Sequence, residues 1–472
     1  MKFKLNNLLI SLFAFLLCIF FAGENKLHAQ GRGVLYTVND TGDTVDASPG
    51  DGICADAGNK CTLRAAIGES NTTIERDAIV FILPQPSTIN LTLGELVISR
   101  SLHIAGPGAR RLTIQRSTQG GTPNFRVFSF SPGQNVSNIR GVSIRNGHDS
   151  SGGGILIGAL HLVDVVDCSL IGNHATGDGG AIKADGSRLV LLRVLIASNV
   201  AETNGGGVHL MANTLDANIT NSTFTANSAA TGGAINNGGP LVLINNTISQ
   251  NTATTSSSIH SNSGGSITVL NTIIGRDIGQ IGTALSGQFI SAGNNIVTDA
   301  RNSTGFVHDV NADQVSDNNV IDPLLTALAD NGGQTDTLGL LANSPAINKA
   351  NPCVINGNCP QLPGMFIRGR TDQRKTPRNN FGSLPEIGAY EDAQLIGTFF
   401  GTLQFGFFDP PVTRFTNALA ILTNTRTLEK KITRINILGR VTFTRVQADD
   451  DHILEIKSKR AGPITPILFP SD

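Results

Sequence analysis

The chain has 472 residues, a net charge of −1, only 15% charged residues, 53 glycines, two tyrosines and no tryptophan. This balanced charge argues against electrostatic binding to nucleic acid or to anionic lipid. The length allows two or three ordinary domains, or one long repeat body with appendages.

Residues 1–29 have the pattern of an export signal. Lys2 and Lys4 precede a continuous apolar run at 8–22, and Leu-His-Ala at 27–29 offers a small-residue cleavage site. The run is too short and too close to the N-terminus for a transmembrane helix, and no second long apolar run follows it. We therefore predict an exported protein, secreted or at a bacterial outer cell surface, with no transmembrane segment after signal cleavage.

Residues 30–75 are predicted to form an N-terminal cap. Thr62 is a candidate N-cap for a short amphipathic helix, because Leu63, Ala66 and Ile67 stand at i, i+3 and i+4. Such a helix would cover the open end of a solenoid core. The stretch resembles the CSLREA domain of bacterial surface and secreted proteins, with Cys-Thr-Leu-Arg-Ala-Ala at 61–66. Ala65 replaces the glutamate of that motif and removes the reciprocal half of a capping box.

The loop before this helix is rich in aspartate. Its acidic residues are Asp40, Asp43, Asp46, Asp51 and Asp56. Their spacing matches no EF-hand, so solvated turn residues are favoured over a calcium site. We predict no cofactor, and calcium stays open as the alternative.

A repeat of about 26 residues dominates the segment 76–300. Four strings end in asparagine, and glycine-rich marks recur between them with the same period. The asparagines are Asn173, Asn199, Asn227 and Asn251, and Asn146 lies one further period upstream. A fixed period of this size indicates stacked supersecondary units, and asparagines at one turn position can form a hydrogen-bonded ladder. We predict that the ladder begins at Asn146.

The residues before each asparagine alternate between apolar and polar. Leu170, Ile196, Phe224 and Ile248 stand three residues before it, and Val166, Leu192, Thr220 and Ile244 stand seven before it. Period two is typical of strands, although Leu195 breaks the pattern. We predict an all-β fold, a right-handed parallel β-helix of the pectin-lyase-like type, with a β-sandwich as the alternative; the hand follows from the general bias of parallel crossovers. The GGAI marks and Phe-Thr-Ala-Asn at 224–227 also resemble the repeats of chlamydial-type polymorphic outer-membrane proteins.

A second specific set of motifs covers roughly 290–392, and we assign residues 301–392 to a separate C-terminal part of the solenoid. SAGNNIVTD at 291–299, the stretch 322–351, RTDQRKTPR at 370–378 and EIGAYE at 386–391 resemble the choice-of-anchor Q domain. The resemblance implies an exported bacterial protein with a shared repeat body and a variable anchor, and it implies no chemistry. We expect this part to complete the solenoid, with Asp372, Arg374 and Glu391 as a polar cluster that closes the C-terminal end of the coil.

Residues 393–472 have a different composition. The segment 432–446 alternates strongly around Leu438-Gly439, which predicts a hairpin. We expect a small β appendage here, with a sorting or docking signal as the alternative.

The cysteines predict two local disulfides. In an oxidising compartment Cys54 is expected to pair with Cys61, and Cys353 with Cys359. Cys168 is expected to be a buried free thiol that packs as a small hydrophobic residue.

The repeat shows no catalytic constellation. A glycosidase needs two facing carboxylates about 5–9.5 Å apart. The acids of the repeat do not stack at one period; they are Asp164, Asp167, Asp178, Asp185, Glu202 and Asp216. Asp167 stands one coil from Arg193, which predicts a surface ion pair. His148, His174, His209 and His260 are expected to be exposed turn residues, and we predict no catalytic or metal-binding residues.

The favoured function is a non-enzymatic one. The sequence indicates an exported, surface-associated or secreted β-helix protein with an adhesion, binding or envelope-structural role. The expected partner is a cell-envelope or extracellular polysaccharide, or the surface of a host or neighbouring cell, and not nucleic acid. The alternative is a polysaccharide lyase or glycoside hydrolase on the same fold.

Overall fold

The structure is a computed structural model that describes residues 33–275, 283–317, 321–363, 368–378 and 384–391, together with the backbone of six strands in the tail. The predicted export signal lies outside the described residues. Among the helices that are described, none has the length and apolar character needed to span a bilayer.

The body is a parallel β-helix, as the repeat predicts. Each coil runs through a strand of a first sheet and a strand of a second sheet, in several coils a short strand of a third sheet, and then a strand of a fourth sheet. Neighbouring coils pair in parallel, for example Leu162–Val166 with Arg188–Leu192.

The strand bounds are as follows. The first sheet contains Leu35–Val38, Asp77–Phe81, Leu102–Ala105, Val136–Arg140, Leu162–Val166, Arg188–Leu192, Asp216–Thr220, Pro240–Ile244, Ser266–Leu270 and Ile290–Gly293. The second contains Ser87–Leu91, Leu112–Arg116, Ser143–Arg145, Ser169–Ile171, Leu195–Ala197, Thr223–Thr225, Thr247–Ser249, Ile273–Ile274, Ile296–Val297 and Gln314–Val315. The third contains His148–Asp149, His174–Ala175, Val200–Ala201, Ser228–Ala229 and Thr252–Ala253. The fourth contains Leu96–Ile98, Phe128–Phe130, Ile155–Ile157, Ile182–Ala184, Val208–Leu210, Ile235–Asn237, Ser256–Ser261, Thr283–Gln288 and Ser303–Thr304.

The core fills the space between the sheets. The central residues of the second-sheet strands point inward, and Leu170, Ile196, Phe224 and Ile248 are all 0% exposed. The inward side chains of successive coils join one continuous apolar cluster that runs the length of the stack. The prediction that an apolar strand residue stands three positions before each asparagine and faces the core is therefore confirmed.

The alternation does not extend across the corner between the first and second sheets. One residue of each corner is left-handed, with φ of 53° at Asp167 and 54° at Asn245. That residue reverses the side-chain direction, so Ile244 packs outside the coil in a separate cluster with Val354 and Leu362. The period-two pattern would place the residues seven before the asparagine on the same inward face as those three before it. That part of the prediction is wrong, because the corner breaks the alternation.

The glycine-rich marks form the corner between the third and fourth sheets. Gly179 has φ +70°, and a Cβ on Gly180 would lie 2.3 Å from the carbonyl oxygen of Gly206. No side chain fits at that distance from the backbone of the next coil. Glycine is therefore required wherever consecutive coils meet this closely.

The N-terminal cap forms as predicted. Helix α1 (Leu63–Ser70) begins at Thr62, whose hydroxyl accepts a hydrogen bond from the Ala65 amide at 3.0 Å. Leu63, Ala66 and Ile67 belong to the same apolar cluster as the coils. The first coil strand, Leu35–Val38, precedes the helix in the chain, so residues assigned to the cap by sequence also contribute to the first sheet.

The region after the coils differs from the expectation. The second sheet ends at Gln314–Val315, after the short 3-10 helix Val310–Ala312. The described residues of 321–391, here called the strap, then fold back along the outside of the first and second sheets. The strap contains the antiparallel strands Leu325–Ala329 and Thr337–Leu340 and helix α2 (Cys353–Asn356).

The strap contacts many coils. Asn294 donates to Lys349 O at 2.8 Å, Asn271 to Asn351 O at 3.1 Å, and Asn221 to Arg368 O at 3.0 Å. Arg110 pairs with Asp336 at 2.7 Å, close to the N-terminal end of the coil. On the second sheet, Thr223 Oγ1 donates to Gln373 Oε1 of the strap at 2.6 Å, and the Ala389 amide donates to Thr247 Oγ1 at 3.0 Å. Leu195, which pairs in register with Thr223 and also points outward, is likewise buried.

The remaining predictions concern the cysteines and the tail. Cys54 and Cys61 lie at disulfide distance, and so do Cys353 and Cys359, as the sequence predicts. Cys168 is a buried free thiol, also as predicted. The tail contains antiparallel strands, and the hairpin turn expected at Leu438-Gly439 lies outside the described residues. Of the described strands on either side of it, Lys430–Arg434 pairs with Leu419–Asn424, and Arg440–Gln447 pairs with Phe400–Gly406. The other tail strands are His452–Lys457 and Ile467–Phe469.

Candidate functional site

The asparagines of the repeat form a buried hydrogen-bond chain between the second and third sheets. Asn173 Nδ2 donates to Asn199 Oδ1, Asn199 Nδ2 to Asn227 Oδ1, and Asn227 Nδ2 to Asn251 Oδ1, each at 2.9 Å. Each amide oxygen also accepts from the backbone N–H of the preceding asparagine, at 3.0 or 3.1 Å. The ladder therefore satisfies polar groups that the turn would otherwise bury unpaired.

Asn146 does not belong to this ladder. His148 pairs in register with His174, so Gly147 is the residue aligned with Asn173. The Gly147 amide donates to Asn173 Oδ1 at 3.0 Å, while Asn146 Nδ2 reaches Gln115 instead. The sequence prediction is wrong here by one residue, because the spacing between these two coils is 26 and not 27.

Asp167 and Arg193 form a buried ion pair and not the surface pair expected. The Asp167 side chain is 1% exposed, and it lies 2.6 Å from Arg193 Nε, 3.0 Å from Arg140 Nη2 and 3.6 Å from Lys375 Nζ. Burial alone would raise the pKa of Asp167, but the three cations hold it far below its usual value. The strap supplies Lys375, which is why this environment was not visible in the repeat.

The polar cluster of the strap is also placed differently. Asp372 accepts hydrogen bonds from the backbone of Arg374 and of Glu391, at 2.8 and 3.0 Å. The neighbouring Arg378 is fully buried and donates to Asn221 Oδ1 at 3.2 Å. These residues are clustered, as expected, but they hold the strap to the middle coils and do not close the end of the solenoid.

The aspartates of the N-terminal loop bind the protein's own donors. Asp46 accepts from the Ser48 and Ala55 amides at 2.8 and 2.9 Å. Asp56 accepts from Thr44 at 2.6 Å. Among the described residues, no group of three or more His, Cys, Asp or Glu side chains is placed to hold a metal ion.

The polar and charged side chains best suited to bind a ligand lie on the third and fourth sheets and the loops between them, here called the open side. At its N-terminal end Arg126 bridges two carboxylates, and we call Glu95, Arg126 and Asp149 the acid cluster. Arg126 Nε lies 3.0 Å from Glu95 Oε2 and 3.3 Å from Asp149 Oδ2, and its Nη2 lies 2.8 Å from Asp149 Oδ1. Three coils are joined through this one guanidinium group.

The two carboxylates have different proton affinities. Burial raises the pKa of Glu95, and the charge of Asp149 adds to the effect, while Arg126 opposes it. Burial also acts to raise the pKa of Asp149, but the hydrogen bond and charge of Arg126 outweigh it and hold that pKa below its usual value. Displaced pKa values of this kind are typical of functional sites and of structural ion-pair networks alike.

A second cluster lies further along the open side, centred on Asp178. Its Oδ1 accepts from Thr203 Oγ1 at 2.6 Å and Asn204 Nδ2 at 2.9 Å, and its Oδ2 accepts from Lys183 Nζ at 3.1 Å. Burial acts to raise the pKa of Asp178, but these hydrogen bonds lower it to about 2. Lys183 also donates to Ser151 at 3.3 Å, which connects this cluster to the coil of Asp149.

Polar side chains continue in register along the outer face of the fourth sheet. Lys183 pairs with His209, His209 with Asn236, and Asn236 with His260 in consecutive coils. We call these four residues, with Asp178, the polar column. His209 is 8% exposed, and within the described residues its Nδ1 has no hydrogen-bond partner. Burial lowers the pKa of His209, which leaves the imidazole neutral near pH 7.

Two further histidines, His148 and His174, meet edge to face on the third sheet. The rings of His148 and His174 are 4.5 Å apart, and His174 Nε2 lies 3.6 Å from Glu202 Oε1. The pKa of His148 is lowered, first by burial and then by the charges of His174 and Arg116. The histidines expected at exposed turns are thus strand residues, and His209 is buried.

Sequence reasoning missed the acid cluster because its members come from irregular coils. Glu95 and Arg126 precede the regular repeat, and Asp149 lies at its first short strand. Lys183 and His209, by contrast, share a position after the glycine-rich mark in consecutive repeats. The repeat period could therefore have revealed that Lys183 and His209 stack on one another.

The comparisons with known proteins give no match: no family model, curated protein or solved structure matches this chain. The resemblances to the CSLREA and choice-of-anchor Q domains therefore rest on the quoted motifs alone.

Proposed function

We propose that this protein is exported to the bacterial surface or medium and binds an extended polar polymer, a polysaccharide of the envelope or the extracellular matrix, along its open side without cleaving it. The observation that carries the proposal is the continuity of the open side. Hydrogen bonds and ion pairs link Glu95, Arg126 and Asp149 to the next coils, and Lys183 and Asp178 continue the series.

The groups on this side suit hydroxyl-rich ligands. Asp178 is ionised near pH 7, Lys183 keeps donor capacity beyond its two hydrogen bonds, and the part-buried Asn204 supplies an amide. Carboxylates, ammonium groups and amides all exchange hydrogen bonds with sugar hydroxyls, and the coil spacing of about 4.8 Å repeats these groups along the axis. Because the sequence has no tryptophan and only two tyrosines, affinity would come from many polar contacts and not from aromatic stacking.

Charge balance favours a neutral polymer near pH 7. Within the two clusters the two cations Arg126 and Lys183 face three carboxylates, those of Glu95, Asp149 and Asp178, and His209 is neutral. An acidic polysaccharide would meet no excess of positive charge here. The predicted export signal and the two disulfide pairs support an extracellular setting.

Binding is tested with a panel of neutral and acidic polysaccharides in affinity gel electrophoresis. The purified protein is expected to be retarded by a neutral member of the panel. The D178A/K183A variant should bind about tenfold more weakly or worse, because a hydrogen bond to a charged group is worth about 1.5–3 kcal/mol. The matched control is R188A/D216A, which removes an exposed ion pair on the first sheet and should leave binding unchanged. Equal retardation of all three proteins would contradict the proposal.

One observation favours the alternative, a glycoside hydrolase. Glu95 and Asp149 face the same arginine, and their pKa values are displaced in opposite directions, as in an acid and nucleophile pair. However, both carboxylates lie within 3.3 Å of Arg126 Nε, so that nitrogen occupies the space a scissile sugar needs. We expect no release of reducing ends from the panel; release that disappears in E95Q and in D149N would establish the enzyme instead.

A further inference from the structure

The N-terminal cap forms hydrogen bonds to the turn that contains Glu95. The Arg64 side chain reaches from helix α1 to two consecutive carbonyl groups, with Nη2 2.6 Å from Gly94 O and Nη1 3.0 Å from Glu95 O. Its Nε pairs with Asp43 Oδ1 at 2.7 Å. The planar guanidinium can make these three contacts at once, which the ammonium group of a lysine cannot.

A second cap residue holds the start of the same turn. Asp43 Oδ2 accepts from the Thr92 amide at 2.6 Å and from the Leu93 amide at 2.9 Å. Together, Asp43 and Arg64 therefore fix the backbone of four consecutive residues, 92–95. Asn71, at the end of helix α1, pairs with the adjoining strand through Val97 O at 2.8 Å and the Ser99 amide at 2.9 Å.

This turn lacks the support that later turns receive from their neighbours. It lies between Ser87–Leu91 of the second sheet and Leu96–Ile98 of the fourth, while the first described strand of the third sheet is His148–Asp149. Its own coil contains no described strand of the third sheet, and within the described part of the chain residues 92–95 make no backbone hydrogen bond to a neighbouring coil. The cap side chains take that role, and the position of the Glu95 carboxylate beside Arg126 depends on them.

We propose that Arg64 is a positioning residue for Glu95. The cap would then help to hold the binding surface in place, in addition to covering the apolar core. This inference rests on the proposed function, because it assumes that the acid cluster contacts the ligand. Linkage then requires the reverse effect: a polymer bound at Glu95 and Arg126 must stabilise the closed cap.

The first test measures amide hydrogen exchange and affinity with the polysaccharide selected by the panel. In the wild-type protein, ligand should slow exchange in 63–70 and 92–98. R64M should bind about tenfold more weakly and lose the protection of 63–70, and R64K should be intermediate, since one ammonium group replaces only part of the fork. The matched control is T62A, which removes the N-cap bond of the same helix and the bond from the Thr62 hydroxyl to Thr44 O, but no contact to residues 92–95. T62A should keep the affinity of the wild type.

The outcomes separate the inference from the proposed function. If the wild type binds the polymer but R64M and T62A lose the same affinity, or if 63–70 gains no protection, Arg64 acts only through stability and the inference is overturned while the function stands. If no polysaccharide binds, the proposed function fails, and a second test without ligand still decides the role of Arg64.

The ligand-free test follows unfolding free energy against pH. Because the pKa of Glu95 is raised above its ordinary value of 4.5, the folded state holds this proton more tightly, and stability must fall as pH rises from that value through the folded pKa. E95Q should remove this part of the slope. R64M should reduce it, because a released Glu95 regains solvent, whereas T62A should leave it unchanged. A slope in R64M equal to that of the wild type would overturn the inference.

Discussion

Lys375 of the strap lies 3.6 Å from the carboxylate of Asp167 in the coil, and the two side chains are only 9% and 1% exposed. The same carboxylate pairs with Arg193 at 2.6 Å and Arg140 at 3.0 Å. One buried aspartate is therefore shared by three cations, and it joins the strap and its own coil to the two neighbouring coils.

Replacing Asp167 by alanine should destabilise the protein strongly. The change leaves three buried or nearly buried cations without their common counter-ion, which costs about 3–5 kcal/mol of unfolding free energy. Denaturant unfolding measures it. D216A removes one partner of an exposed pair and should cost about 0–1 kcal/mol.

The pH dependence of this effect has a defined sign. Because the pKa of Asp167 is depressed far below its usual 3.8, its contribution is complete above that value and is lost only as the pH falls toward the folded pKa. The stability difference between wild type and D167A should therefore stay constant from about pH 8 to about pH 5. Losses for D167A as small as those for D216A would show that the strap does not bury this site.

The asparagine ladder predicts unequal effects for two neighbouring asparagines. Asn199→Ala removes the acceptor of both donors of Asn173 and the donor to Leu170 O and Asn227 Oδ1. Each buried group left unpaired costs about 1–3 kcal/mol. Asn146→Ala removes only the bond to Gln115, so its cost should stay near 1 kcal/mol. Equal melting temperatures for the two variants would contradict the register.

The core positions predict which faces tolerate charge. Phe224→Asp or Ile196→Asp buries an unpaired carboxylate at sites that are 0% exposed, which should unfold several coils. Val200→Asp, at a partly exposed position of the third sheet, should change the melting temperature little. Thermal melting followed by circular dichroism distinguishes the three variants, and intact melting of both core variants would show that the inward assignment is wrong.

The cysteines predict a specific pattern of reactivity. Peptide mapping without reductant should find Cys54 joined to Cys61 and Cys353 joined to Cys359, each bridge contributing about 2–3 kcal/mol in the entropic model. Burial raises the pKa of the Cys168 thiol to about 12, so this residue should resist alkylation until the protein unfolds. A bridge that includes Cys168, or one between Cys54 and Cys353, would contradict the pairing.

The parts of the fold that repeat locally were predictable from the sequence. Leu170, Ile196 and Phe224 recur with the ladder asparagines, so the period reveals both the strands and the stacking. The strap was not predictable, because a contact such as Asp167 with Lys375 joins distant segments that share no pattern. The hydrophobic Leu195 at an outward position was the one local sign that something covers the second sheet.

The candidate site also has a part that the repeat period reveals and a part that it does not. Lys183 and His209 occupy one position of the repeat, so the period could have revealed them although the sequence prediction did not single them out. Nothing in the sequence joins Glu95 to Asp149, since the intervening coils are irregular. Their proximity follows from the stacking of the coils, and the arginine between them is a contact that only the folded chain creates.

Carbodiimide footprinting of carboxylates tests most directly the claim that the open side binds the polymer. The wild-type protein is labelled with and without the polysaccharide selected by the panel, and modified residues are quantified by mass spectrometry. Glu202, whose side chain is 57% exposed, and Asp149 lie on the open side, whereas Asp216 of the first sheet is 50% exposed and Asp330 of the strap is 62% exposed. The account predicts that the polymer lowers labelling of Glu202 and Asp149 and leaves Asp216 and Asp330 unchanged. Protection of Asp216 or Asp330, with Glu202 and Asp149 labelled as before, would contradict it.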